Sequence, residues 1–148
     1  MEVRKIMTTN PACCFPDTTL PEVAKMMVAH DCGEIPVVDR TTRKPVGVVT
    51  DRDITVRAVA PGLNPANLSA RDCMTAPAVT VPPETSLDRC ARIMEEKQLR
   101  RVVVIDAAGT LCGIVAQADI ARNAPKQMVA EVLKDVSRHS GGGVEGRA

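Results

Sequence analysis

Residues Gly47-Val48-Val49-Thr50-Asp51-Arg52-Asp53-Ile54 return near the other end of the chain as Gly113-Ile114-Val115-Ala116-Gln117-Ala118-Asp119-Ile120. Both octets run from an apolar β-type stretch into a helix start, and both keep the first glycine and the last aspartate. Outward from them the match widens. Asp17 to Asp31 (DTTLPEVAKMMVAHD) aligns without gaps on Glu84 to Gln98 (ETSLDRCARIMEEKQ), Ile35 to Asp39 aligns on Val102 to Asp106, and Met7-Thr8 matches Met74-Thr75. The chain is therefore two copies of one unit, and the architecture follows from that repeat.

Each copy has the same order of elements. A short β-type stretch (Cys13 to Phe15; Val79 to Val81) precedes a helix. The apolar face of that helix, Leu20, Val23, Ala24 and Met27, follows the i, i+3, i+4, i+7 spacing, and Leu87, Cys90, Ala91 and Met94 repeat it. Thr19 with Glu22, and Pro21 in the first turn, predict a capping box. Two apolar runs joined by the polar turn Asp39 to Lys44 predict a hairpin, which the second copy closes more tightly through Gly109. A second helix begins after Thr50 or Ala116. The predicted boundaries are 1–60 for the first repeat, 61–71 for a breaker-rich linker, 72–124 for the second repeat, 125–138 for a C-terminal helix and 139–148 for a disordered tail. A βαββα unit exposes an apolar sheet face that a second unit would bury. The expected class is α/β in the α+β sense, with two βαββα repeats packed through their sheets.

Composition narrows the function. Lys and Arg total 19 against 18 Asp and Glu, so no charge excess attracts nucleic acid or an anionic membrane. One Phe, no Trp and no Tyr leave none of the usual stacking platform for single-stranded nucleic acid. No apolar run reaches the roughly 20 residues that span a bilayer, and the basic N-terminus is not followed by an apolar stretch of signal-peptide length. These features place the chain in the cytoplasm. Six cysteines form no CxxC pair and there are two His, so zinc spacing is missing and six free thiols are expected. Cys13-Cys14 is the pair to check for a redox role. No nucleophile-base pattern and no phosphate-cradling Gly loop points to catalysis, and the chain is read as a non-enzyme.

The chemistry concentrates at Thr50-Asp51-Arg52-Asp53. Thr-x-x-Asp is itself a capping box, which is the purely structural reading. The functional reading is that helix-start N–H groups and the Thr50 hydroxyl favour an anion, Arg52 adds a charge-assisted bond, and Asp53 accepts both hydroxyls of a ribose. Asp119 persists although its cap partner is Ala116. That retention favours a role beyond capping, because an N-cap lost to Ala costs about 1 kcal/mol.

Tandem βαββα copies with Gly-x-x-Thr-x-x-Asp at the strand-helix junction, Met-Thr-x-Pro at Met74 to Pro77 and Ile-Pro-Val-Val-Asp at Ile35 to Asp39 resemble a pair of cystathionine β-synthase (CBS) domains over residues 3–124. The resemblance implies a Bateman module with a pseudo-twofold axis and two clefts for AMP, ATP, another adenosine derivative or S-adenosylmethionine. By resemblance, Asp53 holds the ribose, Thr50 the phosphate with Arg52 nearby, and Ile35-Pro36 edge the adenine. In the other cleft Asp119 matches the ribose position and Val102-Val103 the base edge, but Ala116 departs from the pattern and weakens the phosphate hold. One dominant binding event per chain is expected. The resemblance also implies a homodimer and a regulated protein partner not named by the sequence. The alternatives are a ligand-free interaction module and a cysteine-based redox sensor.

Overall fold

A computed structural model describes residues 1–123; the predicted C-terminal helix and tail lie outside the described residues. The elements are strands β1 (Thr8–Thr9), β2 (Glu34–Val38), β3 (Pro45–Thr50), β4 (Thr80–Val81), β5 (Arg101–Ile105) and β6 (Leu111–Ala116), with helices α1 (Leu20–His30), α2 (Asp51–Ile54), α3 (Ala70–Cys73), α4 (Leu87–Lys97) and α5 (Gln117–Asn123). The fold is mixed α+β. Two compact units form among the described residues: one joins Met1–Thr9 to Thr80–Asp106 and 112–123, and the other comprises Asn10–Val79 with Ala107–Leu111.

In the second of these units α1 starts at Thr19, whose hydroxyl accepts from the Glu22 N–H at 3.4 Å, with Pro21 in the first turn. The reciprocal bond of the predicted box is not formed. The helix stops where Asp31 turns left-handed at φ 49°. It buries Leu20, Val23 and Met27, each contributing about 1.5–3 kcal/mol, whereas Ala24, placed on this face by its spacing, is exposed. Hairpin β2–β3 pairs Ile35 with Val49 and Pro36 with Val48. Its turn is held by Asp39, whose Oδ1 accepts from the N–H groups of Thr41 and Thr42 at 2.9 and 2.8 Å. Those backbone bonds hold the Asp39 carboxyl below its ordinary range. Cys13 to Phe15 is not a full strand: only Cys14 bridges to Val37, in parallel. On the other edge Thr75 bridges antiparallel to Val48. The lateral order is Thr75, β3, β2, Cys14, around a core of Cys14, Val23, Met27, Ile35, Val37, Val49 and Ala70. The span predicted as linker carries a 3-10 turn at Pro65–Asn67 and the start of α3, which is capped by Ser69 and Asp72.

The other unit repeats the plan. Its sheet runs β1-β6-β5-β4, with β4 parallel to β5 and β1 antiparallel to β6. Helix α4, capped by Ser86 and ended by Gln98 at φ 56°, buries Leu87, Cys90, Ala91 and Met94 as its spacing requires. In each unit, then, a Met-Thr segment lies against a Gly-containing strand of the opposite sequence copy: Met74-Thr75 on β3, and Met7 with β1 on β6. A Cβ added at Gly47 would stand 2.7 Å from the Thr75 carbonyl oxygen, and one at Gly113 would run into Met7 Sδ. This close approach is why both octets begin with glycine.

Candidate functional site

Strand β3 delivers Thr50 to the start of α2 in extended geometry, φ −107° and ψ 162°. The capping box is complete: Thr50 Oγ1 accepts from the Asp53 N–H at 2.9 Å, and Asp53 Oδ2 accepts from the Thr50 N–H at 3.0 Å. Glu34 stands opposite Thr50 and Ile35 opposite Val49, so the start of β2 lies beside the junction. After Ile54 the helix widens into a π-helical turn over Thr55–Val59, closed by the Ala60 N–H donating to Thr55 O at 2.8 Å. Such turns are rare and often found at functional sites.

Asp53 has further partners that the octet alone does not reveal. Arg57, one helical turn on, brings Nη1 to 3.6 Å from Asp53 Oδ1, with the Asp53 side chain 14% exposed. The same nitrogen donates to Cys73 O at 2.8 Å, Met74 O at 2.9 Å and Thr75 Oγ1 at 3.1 Å. Thr75 Oγ1 in turn lies 3.4 and 3.5 Å from the two Asp53 carboxylate oxygens and donates to them. Arg52, the cation predicted for this site, is exposed; its backbone N–H donates to Asp51 Oδ1 at 2.8 Å. The structure therefore brings together Thr50, Asp53, Arg57 and Thr75, with Arg52 exposed next to Asp53 in the chain. Arg57 was readable as the i+4 neighbour of Asp53, and Thr75 as part of a repeated Met-Thr pair. Ile35 and Pro36 are buried in β2, Ile35 as a member of the apolar core, and Val102 and Val103 are buried in β5.

At the second junction Asp119 Oδ2 accepts from the Ala116 N–H at 2.8 Å, and Oδ1 accepts from Arg122 Nη2 at 2.6 Å. Half of the capping box thus survives without a Thr hydroxyl. The cap bond explains the persistence of Asp119 structurally, as the matching bond does for Asp53, and it stands beside the ribose role that the resemblance implies.

The described cysteines are all free thiols, with Cys14, Cys73 and Cys90 buried. Burial, with Cys13 adding to it, pushes the Cys14 thiol up to about 12, and burial pushes Cys90 up to about 11. Cys13 is half-buried, and Arg43 Nη2 donates to its Sγ at 3.6 Å. Beside it a groove of about 370 Å³ is lined by Phe15, Glu22, Met26 and Arg40, with Arg40 stacked 4.0 Å from the Phe15 ring centre.

The model of the CBS domain matches residues 3–59 and 70–126. This chain belongs to the CBS-domain family. Hypoxic response protein 1 of Mycobacterium tuberculosis is 35% identical over 133 residues, covering 90% of this chain and 92% of that protein. An uncharacterized protein of Methanopyrus kandleri is 32% identical over 83% of this chain, which spans 62% of that relative's length. Among solved structures, Hypoxic Response Protein I with two coordinated zinc ions superposes with a TM-score of 0.76 at 35% identity, covering 84% of this chain and all of that one. CBSX2 of Arabidopsis thaliana in complex with AMP gives a TM-score of 0.69 at 27% identity over 82% of this chain and 93% of that one. The CBS pair here has no group of three or more His, Cys, Asp or Glu placed to hold a metal ion among the described residues. None of their helices is long and apolar enough to cross a membrane.

Proposed function

We propose that this CBS pair is a non-catalytic regulatory module that binds an adenosine-type ligand, such as AMP or ATP, at the Thr50–Asp53 junction. The observation that carries the reading is the Asp53 carboxylate, anchored by the Thr50 N–H yet partly open, with a cation and a hydroxyl beside it. Asp53 accepts the ribose diol, the Thr50 hydroxyl donates to the phosphate, and Arg57 joins Arg52 in supplying positive charge nearby. The AMP complex of CBSX2 supports this ligand class. Ala116 leaves the second junction without the phosphate-facing hydroxyl, so one binding event dominates. Exposed Val28 on α1, Val56 and Val59 on the π-helical turn and Leu63 in the loop after it are apolar side chains that a homodimer would cover.

The test is thermal melting and calorimetry with AMP, ATP and S-adenosylmethionine. At a ligand concentration near 100 Kd the melting temperature is expected to rise by about 5–10 °C. Asp53→Asn, which keeps an acceptor for the cap, is expected to abolish the rise. No shift with any of the three at millimolar concentration, or two sites of equal affinity, would refute the reading.

A second reading rests on Cys13, because its half-buried sulfur has the Arg43 guanidinium beside it. As a redox sensor, the chain would react there first. Native-state alkylation at pH 8 followed by mass spectrometry is expected to label Cys13 and to spare Cys14 and Cys90. Equal labelling of all three would remove this reading.

A further inference from the structure

The Asp53 carboxylate carries a relay that a ligand must break. Arg57 donates to the Thr75 hydroxyl at 3.1 Å, and that hydroxyl sits astride both Asp53 oxygens at 3.4 and 3.5 Å. A vicinal diol bound to a carboxylate donates a hydrogen bond to each oxygen, so a diol approaching this face would compete with the Thr75 hydroxyl for the same two acceptors. One Asp53 oxygen already accepts from the Thr50 backbone, so the acceptor capacity left on the open side is limited.

Thr75 is also tied to strand β3 by a reciprocal backbone pair, Thr75 N–H to Val48 O at 2.8 Å and Val48 N–H to Thr75 O at 3.0 Å. Arg57 clamps the two carbonyls just before it, those of Cys73 and Met74. The segment that covers Gly47 is thus secured partly through the group proposed to hold the ribose.

We propose that Arg57, Thr75 and Asp53 form a latch that the ligand's diol opens, so that occupancy is read out as loosening of the Met74-Thr75 segment on β3. This rests on the adenosine reading above and adds the element that reports it. Ligand and Thr75 hydroxyl compete for one carboxylate face, and by linkage whatever weakens the latch strengthens binding. A hydroxyl that served the ligand as a contact would have the opposite effect, and one that served only as a strut would have none.

The sign of a single substitution decides. Thr75→Val keeps the β-branched shape and the backbone pair but removes the hydroxyl, and it is expected to tighten AMP binding about fivefold by calorimetry. Thr75→Ser, which keeps the hydroxyl, is expected to bind within about twofold of the unaltered chain. In the unaltered chain, saturating AMP is expected to speed hydrogen exchange at the Thr75 and Val48 amides. Unchanged or weaker binding by Thr75→Val overturns the latch, as does unchanged or slower exchange at those amides. If the unaltered chain binds none of the adenosine ligands, the ligand reading itself fails and the latch falls with it. If it binds and Thr75→Val binds no tighter, the latch alone falls.

Discussion

Raising the pH from 8 to 11 under reducing conditions is expected to destabilise the protein by about 3–4 kcal/mol, through two buried thiols. Cys14 is 2% exposed and Cys90 is fully buried. Folding lifts their thiols from the ordinary 9.0 to about 12 and about 11. The unfolded chain releases these protons near pH 9 while the folded chain still holds them. Their contribution is therefore complete below pH 9 and declines as the pH rises toward the folded values, by about 1 kcal/mol per pH unit for each thiol. That is a large part of the 5–15 kcal/mol typical of a domain. The chain has no Tyr to titrate in the same window. Urea midpoints measured at pH 8, 9, 10 and 10.5 should fall steadily above pH 9. Cys90→Ala should lower the starting stability but remove a large share of the slope, and adding Cys14→Ala should remove much of the rest, leaving the part due to Cys73 and Cys112, whose thiols burial also pushes up. An undiminished slope in the double variant would assign the effect to other groups.

The repeat made much of this fold legible. Leu20, Val23 and Met27 mark the buried face of α1 because a helix in contact with a sheet can hide only one stripe; Ala24, small and at the stripe's edge, could be left in solvent without cost. The Thr50–Asp53 cap was readable because its partners are three residues apart. What sequence could not show is long-range. Thr75 belongs by sequence to the second copy, yet it pairs with Val48 of the first, and the only trace of that pairing within the strand is the absence of a side chain at Gly47. Arg57 reaches Asp53 because residues four apart share a helix face, a contact that the octet does not contain. The carboxylate half of a capping box bonds a backbone N–H, which every residue except proline supplies, so losing the Thr side chain at Ala116 does not make Asp119 idle.

Gly47→Ala is expected to destabilise the protein by about 2–3 kcal/mol, and Gly113→Ala by clearly less, although the two glycines are equivalent in the repeat. In an open strand the same change would be neutral or slightly stabilising, since alanine loses less backbone freedom on folding. At Gly47 the new methyl meets the Thr75 carbonyl oxygen at 2.7 Å and Met74 Sδ at 3.0 Å. The carbonyl belongs to backbone held on β3 by two hydrogen bonds and flanked by carbonyls that Arg57 clamps, so it cannot give way alone. At Gly113 all three nearest atoms belong to the Met7 side chain, which has three rotatable bonds and can swing aside. Urea midpoints of the two variants measured side by side test this; equal losses would mean that Thr75 yields as easily as Met7. The larger loss at Gly47 carries a second consequence. Displacing Thr75 from β3 also draws its hydroxyl away from Asp53, so Gly47→Ala should bind AMP more tightly than the unaltered chain while being less stable without it. A position remote from the ligand would then shift affinity through the Met74-Thr75 segment alone.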